Sequence, residues 1–166
     1  MVIDGYNVMN ALPELRAITK VDFDGAREKL IEMMAEYRSY LGIDMVIVFD
    51  AHLATRSREH TEMIKGIKIV FTKEKMTADS YIEKVISEMT ANRQVIVVTN
   101  DWTEQLMVLG SGASRVSVRE LQMDLMEARR RINETTDNYQ EKEFLSNRID
   151  KKTLEKLEKI RRKSQT

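Results

Sequence analysis

Cysteine is absent from these 166 residues, so the chain can have no disulfide, no thiolate metal site and no cysteine nucleophile. Only two histidines occur, His52 and His60, too few for a histidine-rich zinc site. No apolar run approaches the ~18 residues of a membrane span. The first apolar run begins at Met1, so no signal peptide is expected either. The glycine loops G-x-x-x-x-G-K-[ST] and G-x-G-x-x-G are missing, and with them the usual nucleotide cradles. No serine sits in a nucleophile elbow. Aromatic residues make up only 6% of the chain, which leaves few rings on which a nucleobase could stack.

What is present is a charged, globular composition: 42% hydrophobic and 33% charged residues. That is enough for one domain with a proper core, and a cytoplasmic location is expected. The net charge of zero hides an asymmetry. From Lys151 onward seven basic side chains stand against Glu155 and Glu158, a balance of +5 that leaves −5 for the first 150 residues. An acidic body with a basic tail suits a metal-dependent site and an anionic partner.

Apolar runs alternate with helical patterns along the chain, the signature of βαβ units. Met1–Ile3, Met45–Phe49, Ile67–Thr72 and Gln94–Thr99 read as strands, with a short fifth at Arg115–Val116. Between them, Ala26, Leu30, Met33, Met34, Tyr37 and Leu41 recur at helical spacing, with Asp24 as candidate cap and Gly42 beyond the end. Ala78, Tyr81, Ile82, Val85, Ile86 and Met89 form a second stripe behind Thr77. Asp101 with Glu104, and Ser117 with Glu120, read as capping boxes opening two further helices. Residues 51–66 are the least regular stretch. The expected organisation is a domain over residues 1–133, a linker over 134–149 and a basic helix over 150–166. The expected fold is α/β, with four or five mostly parallel strands and helices on both faces.

In that arrangement Asp4, Asp50, Asp79 and Asp101 all reach the carboxyl-end rim of the sheet, where open α/β folds place their sites. Each has a local explanation, as turn, strand end or helix cap. Together they concentrate negative charge that a cation must offset. Hard carboxylate oxygens in such a cluster suit Mg²⁺ or Mn²⁺.

The stretches V-I-D-G-Y-N (2–7), V-F-D-A-H (48–52), F-T-K-E (71–74), T-A-D-S-Y-I-E (77–83) and T-N-D-W-T-E-Q (99–105) occur in order. This set resembles the YacP-like NYN domain family, a branch of the PIN-like nucleases. The resemblance implies a three-layer PIN-like fold with a helical C-terminal tail and a metal-dependent ribonuclease site. It also implies messenger RNA as substrate and association with the ribosome, since the family's bacterial members include such an endoribonuclease.

By position, Asp4, Asp79 and Asp101 match the acidic residues that hold metal in PIN-like enzymes. Asn7 matches the asparagine of the first motif and Asp50 the acidic end of the second strand. Lys73 and Thr99 fall in matched motifs with supporting roles. RNA would be held through phosphate contacts by Lys73, Arg56, Arg58, Lys65 and the basic tail, with Trp102 as a stacking candidate. No membrane and no small-molecule cofactor beyond the metal are expected. Many NYN relatives carry a second Asp two places after the position of Asp101, where this chain has Thr103. That departure favours an alternative: an RNA- or ribosome-binding adaptor of the same fold with weak catalysis. A phosphoacceptor domain would want adjacent acidic residues after the first strand, and here Asp4 is followed by Gly5-Tyr6-Asn7.

Overall fold

In the computed structural model, the described residues are 1–50, 60–73, 76–89, 94–101, 110, 112–135 and 153. The chain divides into two compact units, Met1–Met126 and Glu127–Thr166.

The first unit is built on a six-stranded sheet of order β3-β4-β2-β1-β5-β6. Its strands are β1 (Val2–Asp4), β2 (Val46–Phe49), β3 (His60–Ile64), β4 (Ile67–Phe71), β5 (Ile96–Val98) and β6 (Ser114–Val116). All run parallel except β3, which pairs antiparallel with β4 at one edge. The central strand β1 pairs on both sides. Val2 lies opposite Val46 and Val97, and Ile3 opposite Ile47 and Val98. From β1 the chain builds outward to β2 and β4, then crosses back to β5 on the other side of β1. The strand order therefore reverses at the β1–β5 boundary, and the crevice above the carboxyl ends there is the natural ligand position.

Helices cover both faces, as the alternating pattern predicts. Val2, Val48, Val70 and Val97 point one way and pack against Ala78, Tyr81, Ile82, Val85 and Ile86 of α4 (Ala78–Met89). Phe49, of opposite parity, meets α1 (Gly5–Ala11) instead: its ring centroid lies 5.1 Å from that of Tyr6. Next come α2 (Pro13–Thr19), with proline at its tolerated first position, and α3 (Phe23–Leu41). The stripe Ala26, Leu30, Met33, Met34 and Tyr37 of α3 is buried, whereas Leu41 is exposed. Gly42 ends α3 in the left-handed region at φ 66°.

Several expectations need correction. The cap of α3 is Asp22, whose carboxylate accepts the Gly25 N–H at 2.8 Å. Asp24 instead sits in the first turn, paired with Arg27. The stretch over 51–66 contains an ordered hairpin: β3 returns into β4 through Lys65 and Gly66, both at positive φ, the backbone a two-residue hairpin turn requires. Helices α1 and α2 have no counterpart in the sequence pattern, because Asp4-Gly5 reads as a turn. The structure instead starts α1 at the residue after β1, without a loop. Gly5 makes this possible, since a Cβ there would lie 2.3 Å from the Phe49 ring.

Other signals hold. Thr77 Oγ1 accepts the Ser80 N–H at the start of α4. Ser117 and Glu120 form the reciprocal capping box, Glu120 accepting the Ser117 N–H at 2.7 Å and Ser117 Oγ the Glu120 N–H at 3.2 Å. This box opens α5 (residues 118–135), whose Leu121 and Leu125 are buried. The helix expected behind Asp101, with Glu104, lies outside the described residues.

In the second unit, residues 127–135 are helical. Glu127 pairs with both Arg130 and Arg131, and Arg130 also with Glu134. Such exposed i, i+3 and i, i+4 pairs support a helix only weakly. Of the expected basic helix, only Thr153 is described, and it is helical.

Candidate active site at the carboxyl-end rim

Asp4 is where the strand pattern and the rim meet. As the last residue of β1 and the N-cap of α1, it is buried, only 9% exposed. Its Oδ1 accepts the Asn7 N–H at 3.0 Å. Burial pushes its carboxyl up to about 6 against this hydrogen bond. The nearby charges of Asp79, and after it Asp50, raise it further. The three carboxyl groups therefore share one electrostatic neighbourhood. Asp50 is half-buried beyond β2, and Asp79 is exposed in the first turn of α4.

Asp101 is exposed beyond β5, its N–H donating to Thr99 Oγ1 at 2.9 Å. Thr99 is fully buried, and its own N–H donates to the Val116 carbonyl. The carboxylates whose charge raises Asp4 are Asp79 and Asp50, while Asp101 leaves the same rim one strand over, beyond β5. Among the described residues, no three His, Asp or Glu side chains stand together tightly enough to hold an ion by themselves.

The donor set nonetheless fits one class of ion. It is all carboxylate oxygen, and its innermost member resists ionisation because negative charge accumulates in a desolvated place. Mg²⁺ is commonly held by one or two carboxylates with waters and substrate phosphate completing its shell, and needs no protein cage. Zinc or copper would ask for imidazole or thiolate; the chain has no cysteine, and among the described residues no group of three His, Asp or Glu could hold such an ion.

Asn7 has a more specific environment than its motif suggests. Its Oδ1 accepts the Asn100 N–H at 3.0 Å, and Asn100 Oδ1 in turn accepts the Val118 N–H at 3.0 Å. A backbone N–H can only donate, so the carbonyl end of the Asn7 amide must face Asn100. The NH₂ end is left as a donor. Sequence reasoning missed Asn100, whose only signal was its place inside T-N-D.

It also missed Arg27. This side chain is 17% exposed, and its guanidinium lies 5.5 Å from the Phe71 ring centroid and 6.0 Å from that of Phe23. Burial raises the Tyr6 phenol, with Arg27 opposing and Asp50 reinforcing the shift, so both charges act on this ring.

The expected RNA contacts separate. Lys73 is exposed just beyond the carboxyl end of β4, on the site's rim. Lys65 is not: its hairpin turn precedes β4, at the amino-end rim, and its Nζ bonds Glu32 of α3 at 3.1 Å. It is therefore removed from the site contacts. Arg56, Arg58, Trp102 and Thr103 lie outside the described residues.

The model of the YacP-like NYN domain matches residues 1–162. The chain is 41% identical to the protein YacP of Bacillus subtilis (strain 168) over 133 residues, covering 80% of this chain and 78% of that one. The crystal structure of Rae1 (YacP) from Bacillus subtilis superposes with a TM-score of 0.73 at 37% identity, covering 97% of this chain and 93% of the other. A tryptophan-to-leucine mutant of the same Bacillus protein gives a TM-score of 0.68 at 40% identity, covering 80% and 78%.

Proposed function

Because the chain belongs to the YacP-like NYN domain family, whose homology supports a nuclease-type, RNA-related function, we propose that it is a metal-dependent endoribonuclease. It hydrolyses RNA phosphodiester bonds, with messenger RNA on the ribosome as its substrate, in the cytoplasm. The observation that carries this reading is Asp4: a buried carboxyl at the end of the central strand, raised to about 6 by burial and by the nearby charges of Asp79 and Asp50.

Asp4, Asp79 and Asp101 would hold a Mg²⁺ or Mn²⁺ ion directly or through waters, with Asp50 ordering its surroundings. The chemistry such an ion supplies is Lewis acidity toward a phosphoryl oxygen and a water of lowered pKa. The chain's own contribution is positioning. The Asn7 NH₂ donates to a phosphoryl oxygen, Lys73 offers a cation to the neighbouring backbone phosphate, and the Thr99 hydroxyl keeps the Asp101 backbone in place. No side-chain nucleophile is needed. A cation would stabilise the Asp4 carboxylate that burial disfavours, so protons and metal compete for this group.

Scarce aromatic platforms imply weak sequence discrimination, so target choice would come from the ribosome. The test is cleavage of a single-stranded RNA by the purified protein with Mn²⁺, beside Asp4→Asn. Cleavage by the wild type and none by the variant is expected, and equal activity of the two overturns the assignment. Thr103 favours a second reading, an RNA- or ribosome-binding adaptor with weak catalysis. Ribosome binding without cleavage under any divalent cation would establish it.

A further inference from the structure

Four hydrogen bonds converge on three consecutive residues at the end of β5. The Thr99 N–H donates to the Val116 carbonyl, tying this segment to β6. The Thr99 hydroxyl accepts the Asp101 N–H. The Asn100 N–H donates to Asn7 on α1, 93 positions away, and Asn100 Oδ1 accepts from Val118 in the first turn of α5. Ser117 and Glu120 already satisfy other polar groups of that first turn. Asn100 therefore supplies the acceptor that the Val118 amide otherwise lacks.

We propose that Asn100 is a positioning residue of the rim. Its side chain anchors the β5 end to α5, so that its backbone N–H stays where it holds the carboxamide of Asn7 with the NH₂ end toward the substrate side. The same anchor fixes where Asp101 leaves the sheet. Asn100 itself is exposed, so truncating it costs little core packing, and its loss is read at Asn7 and Val118. Remote partners that orient the groups around a metal commonly matter nearly as much as the ligands.

The inference rests on the metal-dependent reading above, and its test separates the two. In the full-length chain, Asn100→Ala removes the acceptor, while Asn100→Asp keeps an oxygen there and adds a charge that a helix N-terminus favours. Three measurements are made on each: NMR of the Asn7 side-chain amide, Mn²⁺ affinity by calorimetry, and cleavage of a single-stranded RNA. In Asn100→Ala the Asn7 amide signals are expected to move and broaden, and Mn²⁺ affinity or cleavage to fall about tenfold or more. Asn100→Asp should restore all three most of the way.

If the Asn7 amide, Mn²⁺ affinity and cleavage are unchanged in Asn100→Ala, the proposal is overturned. It is overturned equally if only the Val118 amide exchanges faster, for then Asn100 merely caps a helix. A wild type that binds Mn²⁺ and cuts no RNA ends the nuclease reading, and the Asn7 signals and Mn²⁺ affinity still decide the role of Asn100.

Discussion

The side-chain oxygen of Asn7 accepts the backbone N–H of Asn100 at 3.0 Å, and this bond fixes the carbonyl end of the Asn7 amide and leaves its NH₂ end as a donor. Asn7→Asp keeps an acceptor for Asn100 but replaces the NH₂ donor with negative charge beside Asp4. The fold should survive, while kcat/KM for RNA cleavage drops by about two orders of magnitude, the usual cost of removing one transition-state donor. Steady-state kinetics with circular dichroism would check both halves.

Asp4→Asn should separate stability from activity. The carboxyl titrates near 3.8 when unconstrained and at about 6 in the folded chain, so between those values the folded state holds the proton more tightly. Its contribution to stability is full below about pH 4, declines as the pH rises toward 6, and stays lost above. Asparagine escapes that loss and can still accept the Asn7 N–H. With metal chelated, the variant should be more stable than wild type by about 1–3 kcal/mol at pH 8 and nearly equal at pH 4. Urea unfolding at the two pH values measures this.

Adding Mn²⁺ should reverse that ranking. Ion binding stabilises only the folded state, so the wild-type midpoint should rise at pH 8. The rise should shrink by pH 5, where protons compete for Asp4. Asp4→Asn should show little response at either pH. A thermal shift series with Mn²⁺ and with EDTA would reveal it.

Lys73 and Lys65 should behave oppositely, although both are exposed lysines near β4. Lys73→Ala should raise the KM for RNA and reduce the salt dependence of binding by about one ion. Lys65→Ala, at the far rim and paired with Glu32, should change neither. Binding measured across a range of salt concentrations tests the pair together.

Gly5→Ala should be costly for so small a change. The added methyl would stand 2.3 Å from the Phe49 ring, and overpacking of this kind destabilises by about 1–3 kcal/mol. Pairing it with Phe49→Leu should return part of the loss in urea unfolding.

How much of this could be read from the chain differs by element. Helices α3 and α4 are long, with apolar stripes and local caps, and the box at Ser117 and Glu120 announces α5. Strand β3 stayed hidden because His60–Ile64 opens with three consecutive polar residues, His60, Thr61 and Glu62, without the alternation of a lone strand, and it exists through pairing with β4, which no local pattern encodes. Helices α1 and α2 have only seven residues each, too short for a clear period. At the site, rim logic located Asp4, Asp50, Asp79 and Asp101 from the strand pattern alone. It could not show that Asp4 is the buried one of the four, because burial is set by packing that no strand pattern encodes. Asn100 was illegible for a related reason: its partners are 93 and 18 positions away.

The direct passage from Asp4 into α1 also bears on where this chain can grow. A residue inserted between Asp4 and Gly5 would turn the following helix by about 100° around its axis. Tyr6, Val8 and Met9, all now buried, would be swung away from the packing they complete. The acid would lose its helix as well, since the amide it caps would no longer be three places on. Length variation in this lineage should therefore collect elsewhere, and the Asp4–Gly5 peptide should be the junction that admits none.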